Sequence, residues 1–274
     1  DDDMPYGYDF LPLLKKIKKF NFGLCKIKFD CFVILDCCSL SRIGQVYKLN
    51  SFNKPILNID HHISNEKFGD INWVEPNASS CCEMIYRLYK RLDIPLDKNI
   101  AMLLYVGILT DTGSFRYSNT RDQTHKITAE LLQHNLDVAK IYNQIYNRIP
   151  FGEMKLLTKI LPTIRRDYSG KIAFCQIPQC LLRKQRINID LGEIILSFCR
   201  AIKDVEVAVL FKENLGKKSA VRVNLRSQGK VDVNKIAQFF GGGGHRTASG
   251  VTISGTLASV RKRVLKKIEE YLKR

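Results

Sequence analysis

Several acidic and histidine residues follow apolar stretches of this chain. Asp36 comes directly after the apolar run 31–35, Asp60, His61 and His62 follow the run 55–59, and Asp111 follows a longer apolar pattern at 98–109. Carboxylate and imidazole groups that converge on one crevice suit Mn²⁺, Zn²⁺, Fe²⁺ or Mg²⁺, and the carboxylates favour Mn²⁺ or Mg²⁺. A single Asp at a strand end is more often a turn or cap residue. Two adjacent histidines, in a chain that has five, favour a metal site instead.

The second candidate site is a run of four glycines at 241–244, followed by His245 and Arg246. Four consecutive glycines cost backbone entropy, so they usually mark a place where the chain approaches another group closely. Exposed backbone N–H groups there would bind phosphate oxygens. A flexible loop is the alternative, and the attached histidine and arginine favour an anion site over it.

The elements that carry the first group predict an α/β domain. The strand-like runs 31–35 and 55–59 are followed by helical patterns at 80–92, 98–109, 120–134 and 137–147. Ser80 and Glu83 have the spacing of a helix-capping box. Alternating strands and helices predict a largely parallel sheet flanked by helices, and in such sheets ligands bind beyond the carboxyl ends of the strands.

A second, smaller domain is predicted after a connector at 149–170 that contains prolines, glycines and a helical middle. Strands are predicted at 171–177, 205–212, 220–226 and 249–253, with helices at 232–240 and 257–273. The expected organisation is an α/β domain with a largely parallel sheet at 1–150, a helical linker at 151–169 and a smaller mixed α/β domain at 170–274, with the boundary near residue 155.

Composition restricts the environment more than the function. The net charge of +17 would attract polyanions such as nucleic acid, although lysine-rich exposed helices explain it equally well. No apolar run approaches the roughly eighteen residues of a membrane span, and the first residues lack a secretory pattern. The nine cysteines form no CxxC pair and are expected to be reduced thiols, so we expect a cytoplasmic protein.

Taken together, the motifs resemble those of the DHH phosphoesterase superfamily. Asp60-His61-His62 resembles the signature that names it, and GGGGHRTASG resembles the glycine-rich motif of a small C-terminal domain in one branch. Asp36 in ILDCCSLSRIG and Asp111 in GILTDTGSFRYSNT resemble the second and fourth motifs. EPNASSCCEMIYRL, VRVNLRS and DVNKIAQFFGGGGH are similar to the branch of bifunctional oligoribonuclease/pAp phosphatases, so the resemblance covers about residues 31–255.

The resemblance implies a role for each residue of the first group. Asp36 would bridge two metal ions, and His61 and Asp111 would complete the shell of one of them. His62 would lie beside the reacting phosphate as a catalytic residue. Asp60, also assigned to catalysis, would orient the histidines as a hydrogen-bond acceptor.

The C-terminal domain is implied to hold the substrate through Arg226, Gly243, Gly244 and His245. The implied cofactor is a pair of divalent ions, Mn²⁺ before Mg²⁺, and the implied reaction is hydrolysis of short oligoribonucleotides, of the 3′,5′-bisphosphonucleotide pAp, or of both. The expected partners are a short RNA or small nucleotide, with no membrane. A homodimer is left open beside a monomer.

One departure from the family pattern concerns the first motif, an Asp-x-Asp pattern usually preceded by a histidine, which is absent from this sequence. Asp1-Asp2-Asp3 does not replace it, because no strand precedes those residues. We therefore expect an N-terminally truncated chain, or one with a misassigned start, and impaired activity. The alternatives are a RecJ-type exonuclease, a cyclic dinucleotide phosphodiesterase, a family II pyrophosphatase, or a nucleotide- or RNA-binding module that does not catalyse.

Overall fold

The structure, a computed structural model, describes residues 7–179, 191–213 and 219–273. Asp1, Asp2, Asp3 and Cys180 therefore lie outside the described residues. The chain divides into two compact units, and the division falls between Arg148 and Ile149. No described helix is both long enough and apolar enough to cross a membrane.

The first unit contains a three-stranded parallel sheet in the order β1-β2-β3. These strands span Phe32–Leu35 (β1), Ile56–Asp60 (β2) and Ile71–Val74 (β3). The parallel pairing agrees with the prediction and places the carboxyl ends of β1 and β2 at one edge of the sheet. Strand β3 was not predicted, because its four residues include a polar one and are not fully buried, so they give no clear alternation.

The first unit also contains α-helices at Cys81–Arg91 (α1), Lys98–Asp111 (α2), Asp122–Leu132 (α3) and Val138–Tyr146 (α4), and a 3-10 helical segment at Leu40–Asn50. The Ser80 half of the predicted capping box is present, since the Ser80 side chain accepts the backbone N–H of Glu83 at 3.1 Å. The Glu83 carboxylate accepts the backbone N–H of Ser79 at 3.1 Å. Helix α2 lies in the core because it is apolar around most of its surface. It approaches α1 closely at Gly107, where a Cβ atom would lie 2.1 Å from the Cys82 sulfur.

The second unit contains a six-stranded sheet in the order β4-β5-β6-β7-β9-β8. Strands β5 and β6 are parallel and the other pairs are antiparallel, which gives the mixed sheet that the sequence predicted. Its elements are α5 (Phe151–Ile160), β4 (Arg165–Asp167), β5 (Ile172–Ile177), α6 (Leu191–Ala201), β6 (Val207–Glu213), β7 (Ala220–Ser227), α7 (Val233–Phe239), β8 (Gly243–His245), β9 (Ala248–Ser254) and α8 (Leu257–Leu272).

Two hydrophobic clusters cover opposite faces of this sheet. One joins the strands to α7 and α8, and Val221, Val223 and Leu225 of β7 belong to it. The other joins β5 and β6 to α5 and α6, and it includes Leu156 and Leu157. The segment 151–169, expected as a linker, thus begins with a helix that packs into the core of the second unit.

The glycine run departs from the loop expected between a helix and a strand, because Gly243–His245 forms β8 and pairs with β9. Glycine has a low strand propensity, so no strand is predicted there from the residue types. The close approach that the run predicted does occur. A Cβ atom on Gly242 would lie 2.5 Å from the Gly250 carbonyl oxygen, and one on Gly244 would lie 2.5 Å from that of Ala248.

Candidate active site

Asp36 occupies the turn that follows β1. Its backbone lies in the left-handed region, with φ of 56°, a conformation that Asp tolerates better than most residues. Its N–H donates to the Ile59 carbonyl of β2 at 3.0 Å. The chain therefore turns at the end of the strand while still bonded to β2, and the carboxylate stays at the sheet edge, 52% exposed.

His61 follows β2 and points one ring nitrogen at two carboxylates. It is 4% exposed, and its Nε2 lies 3.5 Å from an Asp36 oxygen and 3.3 Å from an Asp111 oxygen. Its Nδ1 lies 3.2 Å from the Ala78 carbonyl, which can only accept, so Nδ1 carries a proton. Burial disfavours the charged ring, but the hydrogen bond and charge of Asp111 outweigh it and raise the pKa of His61 to about 9.

Asp60 is fully buried and accepts hydrogen bonds on both oxygens. One oxygen accepts the backbone N–H of His61 at 2.8 Å and Nδ1 of His62 at 2.7 Å, and the other accepts the Asn65 amide at 2.6 Å. Burial opposes its ionisation, but the hydrogen bonds from His62 and Asn65 hold the pKa of Asp60 well below its ordinary value. An ionised acceptor in this position fixes the orientation of the His62 ring.

Two asparagines that the sequence analysis missed tie the two strand-end loops together. Asn58 is fully buried in β2 and donates to the Cys37 carbonyl at 3.1 Å. Asn65 donates to the same carbonyl at 3.2 Å and to the Asn58 side-chain oxygen at 2.8 Å. A signal existed, because a polar residue at the centre of an apolar strand needs a partner.

The donor set at this edge fits a divalent cation. One ligand atom from each of Asp36, His61 and Asp111 lies within 4.8 Å of the others, and Asp36, Asp60 and His62 form a second such group. Carboxylate and imidazole ligands suit Mn²⁺ and related ions, and a cation would relieve the repulsion between the carboxylates. Asp111 ends α2, and its carbonyl accepts the Asn119 amide at 3.1 Å.

The second unit arranges three of its four predicted residues in rows on one face of its sheet. Arg226 of β7 and His245 of β8 both pair with Ala248 of the intervening strand β9. Gly243 belongs to the next row along the strands. Gly244 pairs with Ser249, so it alternates to the opposite face.

Arg226 is held in place by an acid. Its Nη2 and Nε lie 2.6 Å and 3.4 Å from the two carboxylate oxygens of Glu193, near the start of α6. Its Nη1 donates to the Leu225 carbonyl at 3.0 Å. This contact holds the Nε edge of the guanidinium and limits its rotation, while the group retains N–H donors suited to a phosphate.

Two family models match this chain over most of its length. Residues 5–108 match the DHH family, N-terminal domain, and residues 172–274 match the DHHA1 domain. The chain is 30% identical over 267 residues to the bifunctional oligoribonuclease and PAP phosphatase NrnA of Thermus thermophilus, which covers 97% of this chain and 78% of that protein. The chain belongs to the DHH family. DHH phosphoesterases are metal-dependent, so metal-dependent phosphoester hydrolysis is its class of activity.

Two further relatives agree with this assignment. The Bacillus subtilis protein of the same name is 33% identical over 225 residues, or 81% of this chain and 69% of that protein. Among solved structures, an exopolyphosphatase-related protein from Bacteroides fragilis superposes with a TM-score of 0.86 at 27% identity, over 98% of this chain and 82% of that one. The prediction of a two-part α/β fold of the DHH type is therefore confirmed.

Proposed function

We propose that this DHH phosphoesterase hydrolyses short oligoribonucleotides, pAp, or both, and uses Mn²⁺ more readily than Mg²⁺. The observation that supports this proposal most strongly is the orientation of the His61 ring. With Nδ1 donating to the Ala78 carbonyl, Nε2 is left facing Asp36 and Asp111, which is the arrangement that a metal-binding histidine requires.

Asp36, His61 and Asp111 are the proposed ligands. The Asp36 side chain is 52% exposed, so its carboxylate can contact a second ion beside the one that it would share with His61 and Asp111. Bound ions would polarise the phosphate and make water a competent nucleophile at neutral pH. The imidazole suits Mn²⁺ better than Mg²⁺.

The other two candidate residues of the first unit, Asp60 and His62, would act on the phosphate without binding metal. Asp60 holds His62 at 2.7 Å and is itself fixed by Asn65, so the imidazole needs little reorganisation to donate to a phosphate oxygen. Asp60 also receives the His61 backbone N–H, which supports its role in orienting both histidines.

Recognition of the substrate is assigned to the second unit. Arg226 and His245 belong to one row of its sheet, and Gly243 to the next. Backbone N–H groups near Gly243 and Gly244 would add donors to a bound phosphate. Short RNA and pAp are proposed because two relatives that are 30% and 33% identical carry names stating those activities.

A cytoplasmic location is part of the proposal. Cys31, Cys37, Cys38, Cys81, Cys82, Cys175 and Cys199 are free thiols in the structure, a pattern typical of a reducing compartment. The homodimer stays a prediction that analytical ultracentrifugation can check.

The test combines calorimetry with a substrate panel. Wild type should bind Mn²⁺ and release phosphate from pAp or nucleotides from a diribonucleotide, in preference to a cyclic dinucleotide and pyrophosphate. His61→Ala should lose metal binding, whereas His134→Ala, on the same unit and outside the candidate ligand groups, should not. Equal Mn²⁺ affinity of His61→Ala and wild type would refute the ligand assignment. Nucleotide binding without turnover would favour the non-catalytic module.

A further inference from the structure

Glu83 is a buried carboxylate to which the proposed function gives no role. It lies in the first turn of α1 and is 5% exposed. Burying a carboxylate is costly unless hydrogen bonds satisfy it. Its Oε2 accepts the backbone N–H of Ser79 at 3.1 Å, the Ser79 hydroxyl at 2.6 Å and the Thr124 hydroxyl at 3.2 Å. The contact of 2.6 Å lies in the range of roughly 2.5–2.7 Å that is typical of a hydroxyl donating to an ionised carboxylate, which supports a negative charge here.

The contact that this oxygen makes differs from that of a helix-capping glutamate. In a capping box, Glu83 would accept the backbone N–H of the cap residue, Ser80. Its Oε2 instead accepts the N–H of Ser79, one residue earlier in the chain. The carboxylate therefore binds the peptide group that joins Ala78 to Ser79.

The other end of the same peptide group contacts His61. Its carbonyl, from Ala78, accepts Nδ1–H of His61 at 3.2 Å, while its N–H donates to Glu83. Hydrogen bonds in a chain polarise one another, so a negative charge at the N–H end makes the carbonyl oxygen a stronger acceptor. A stronger acceptor at Nδ1 fixes the orientation of an imidazole and makes its Nε2 a better electron-pair donor.

Asn119 holds the same segment through the next carbonyl along the chain. Its amide donates to the Ser79 carbonyl at 2.9 Å and to the Asp111 carbonyl at 3.1 Å. The segment that contacts His61 is thus tied to the residue that carries another candidate ligand. Ser79 is fully buried, so the charge of Glu83 acts on this peptide group with little screening by water.

We propose that Glu83 is a positioning residue that acts on the metal-binding nitrogen of His61 through the peptide group between Ala78 and Ser79. This inference rests on the proposed function, in which His61 is a metal ligand. The negative charge of Glu83 strengthens the Ala78 carbonyl as an acceptor, and that carbonyl holds the Nδ1 proton. Nε2 then faces the metal site with a higher electron density, so a neutral side chain of the same shape at position 83 weakens metal binding.

Glu83→Gln tests the charge, because glutamine keeps the length of the side chain and an oxygen that accepts hydrogen bonds. Mn²⁺ affinity measured by calorimetry should fall by about three- to tenfold, less than the roughly 10- to 100-fold effect expected of a partner in direct contact with a ligand. In the metal-free protein, the NMR resonance of the His61 Nδ1 proton should move upfield, because its hydrogen bond to the Ala78 carbonyl weakens.

Glu153→Gln is the matched control. Glu153 is 3% exposed and is the third residue of α5, as Glu83 is of α1, but it belongs to the second unit. This variant should change neither the Mn²⁺ affinity nor the His61 resonance. Glu83→Asp keeps the charge but draws the carboxylate back by about 1.5 Å, the length of one C–C bond. Its Mn²⁺ affinity should lie between those of wild type and Glu83→Gln.

The outcomes separate this role of Glu83 from the proposed function. A folded Glu83→Gln that binds Mn²⁺ as tightly as wild type, or a loss of the same size in Glu153→Gln, would overturn the role of Glu83 and leave the ligand assignment standing. A lower melting temperature as the only change would do the same. Wild-type affinity in Glu83→Asp would also overturn it, and this variant decides if Glu83→Gln does not fold. Equal Mn²⁺ affinity of His61→Ala and wild type would overturn both proposals together.

Discussion

The two units present opposite kinds of chemistry on different structural supports. In the first, carboxylates and an imidazole that can donate electron pairs to a cation converge at strand ends and at the end of a helix. In the second, Arg226, His245 and small residues that suit an anion lie along one face of the sheet. The first arrangement suits a metal ion, and the second suits a phosphate group.

The supports differ in how much each residue depends on its neighbours. The first site rests on turns, which hydrogen bonds among Asn58, Asn65 and Asp60 hold in place. The second rests on regular alternation along β7 and β9, which the strand pairing enforces. A change in the first should therefore affect metal binding, whereas a change in the second should affect recognition alone.

The sharpest test of this division is Asp36→Asn. It removes the carboxylate that both groups of ligand atoms share, so metal affinity and turnover should fall by at least about 100-fold, since even an outer-sphere partner is worth about 10- to 100-fold. Asp30→Asn, at an exposed position just before β1, should change neither quantity. Calorimetry with Mn²⁺ measures the difference, and a variant that binds Mn²⁺ as wild type does would contradict the shared-ligand assignment.

Arg226→Ala should separate recognition from metal binding. Loss of a charge-assisted contact with phosphate costs about 1.5–3 kcal/mol, so kcat/KM should fall by roughly 10- to 150-fold while Mn²⁺ affinity stays constant. Arg165→Ala on the exposed strand β4 is the control and should change neither kcat/KM nor Mn²⁺ affinity. If metal affinity fell as far as kcat/KM, the assignment of Arg226 to substrate recognition alone would be wrong.

Asn65→Ala should show whether the hydrogen bonds around Asp60 affect metal affinity. Asp60 would keep the two donors from His61 and His62 but lose the third, so we expect about a tenfold loss of Mn²⁺ affinity, at the lower end of outer-sphere effects. Asn143→Ala, exposed on α4, provides the comparison. A loss of thermal stability with unchanged metal affinity would reduce Asn65 to a purely structural role.

The smallest expected effect is a difference in stability between alanine substitutions at two neighbouring glycines of β8. Gly244→Ala needs a side chain at φ of 145° within 2.5 Å of the Ala248 carbonyl, so it should cost on the order of 1–3 kcal/mol of stability. Gly243→Ala meets open space and should change stability by less than about 1 kcal/mol, yet weaken nucleotide binding. Thermal unfolding and binding measured on both variants check this pair, and equal melting temperatures would argue against close packing of β8 on β9.

The sequence by itself determined the features that depend on neighbouring residues. Ser80 capped α1 as predicted, and the apolar runs before Asp36 and Asp60 became strands. Local chemistry fixes caps, periodicity and the residue that follows an apolar strand, so those expectations held. The motifs also pointed to the correct family, because the residue types required for phosphoester chemistry are carried in short segments.

Tertiary structure decided the features that depend on distant partners. Gly243–His245 is a strand only because β9 is available to pair with it, and the packing of α5 onto the second unit depends on β5 and α6. The hydrogen bond from Asn65 to Asp60 likewise depends on how the chain folds back onto the end of β2. Pairing register and side-chain direction arise from contacts between residues far apart in sequence, and no local pattern encodes them.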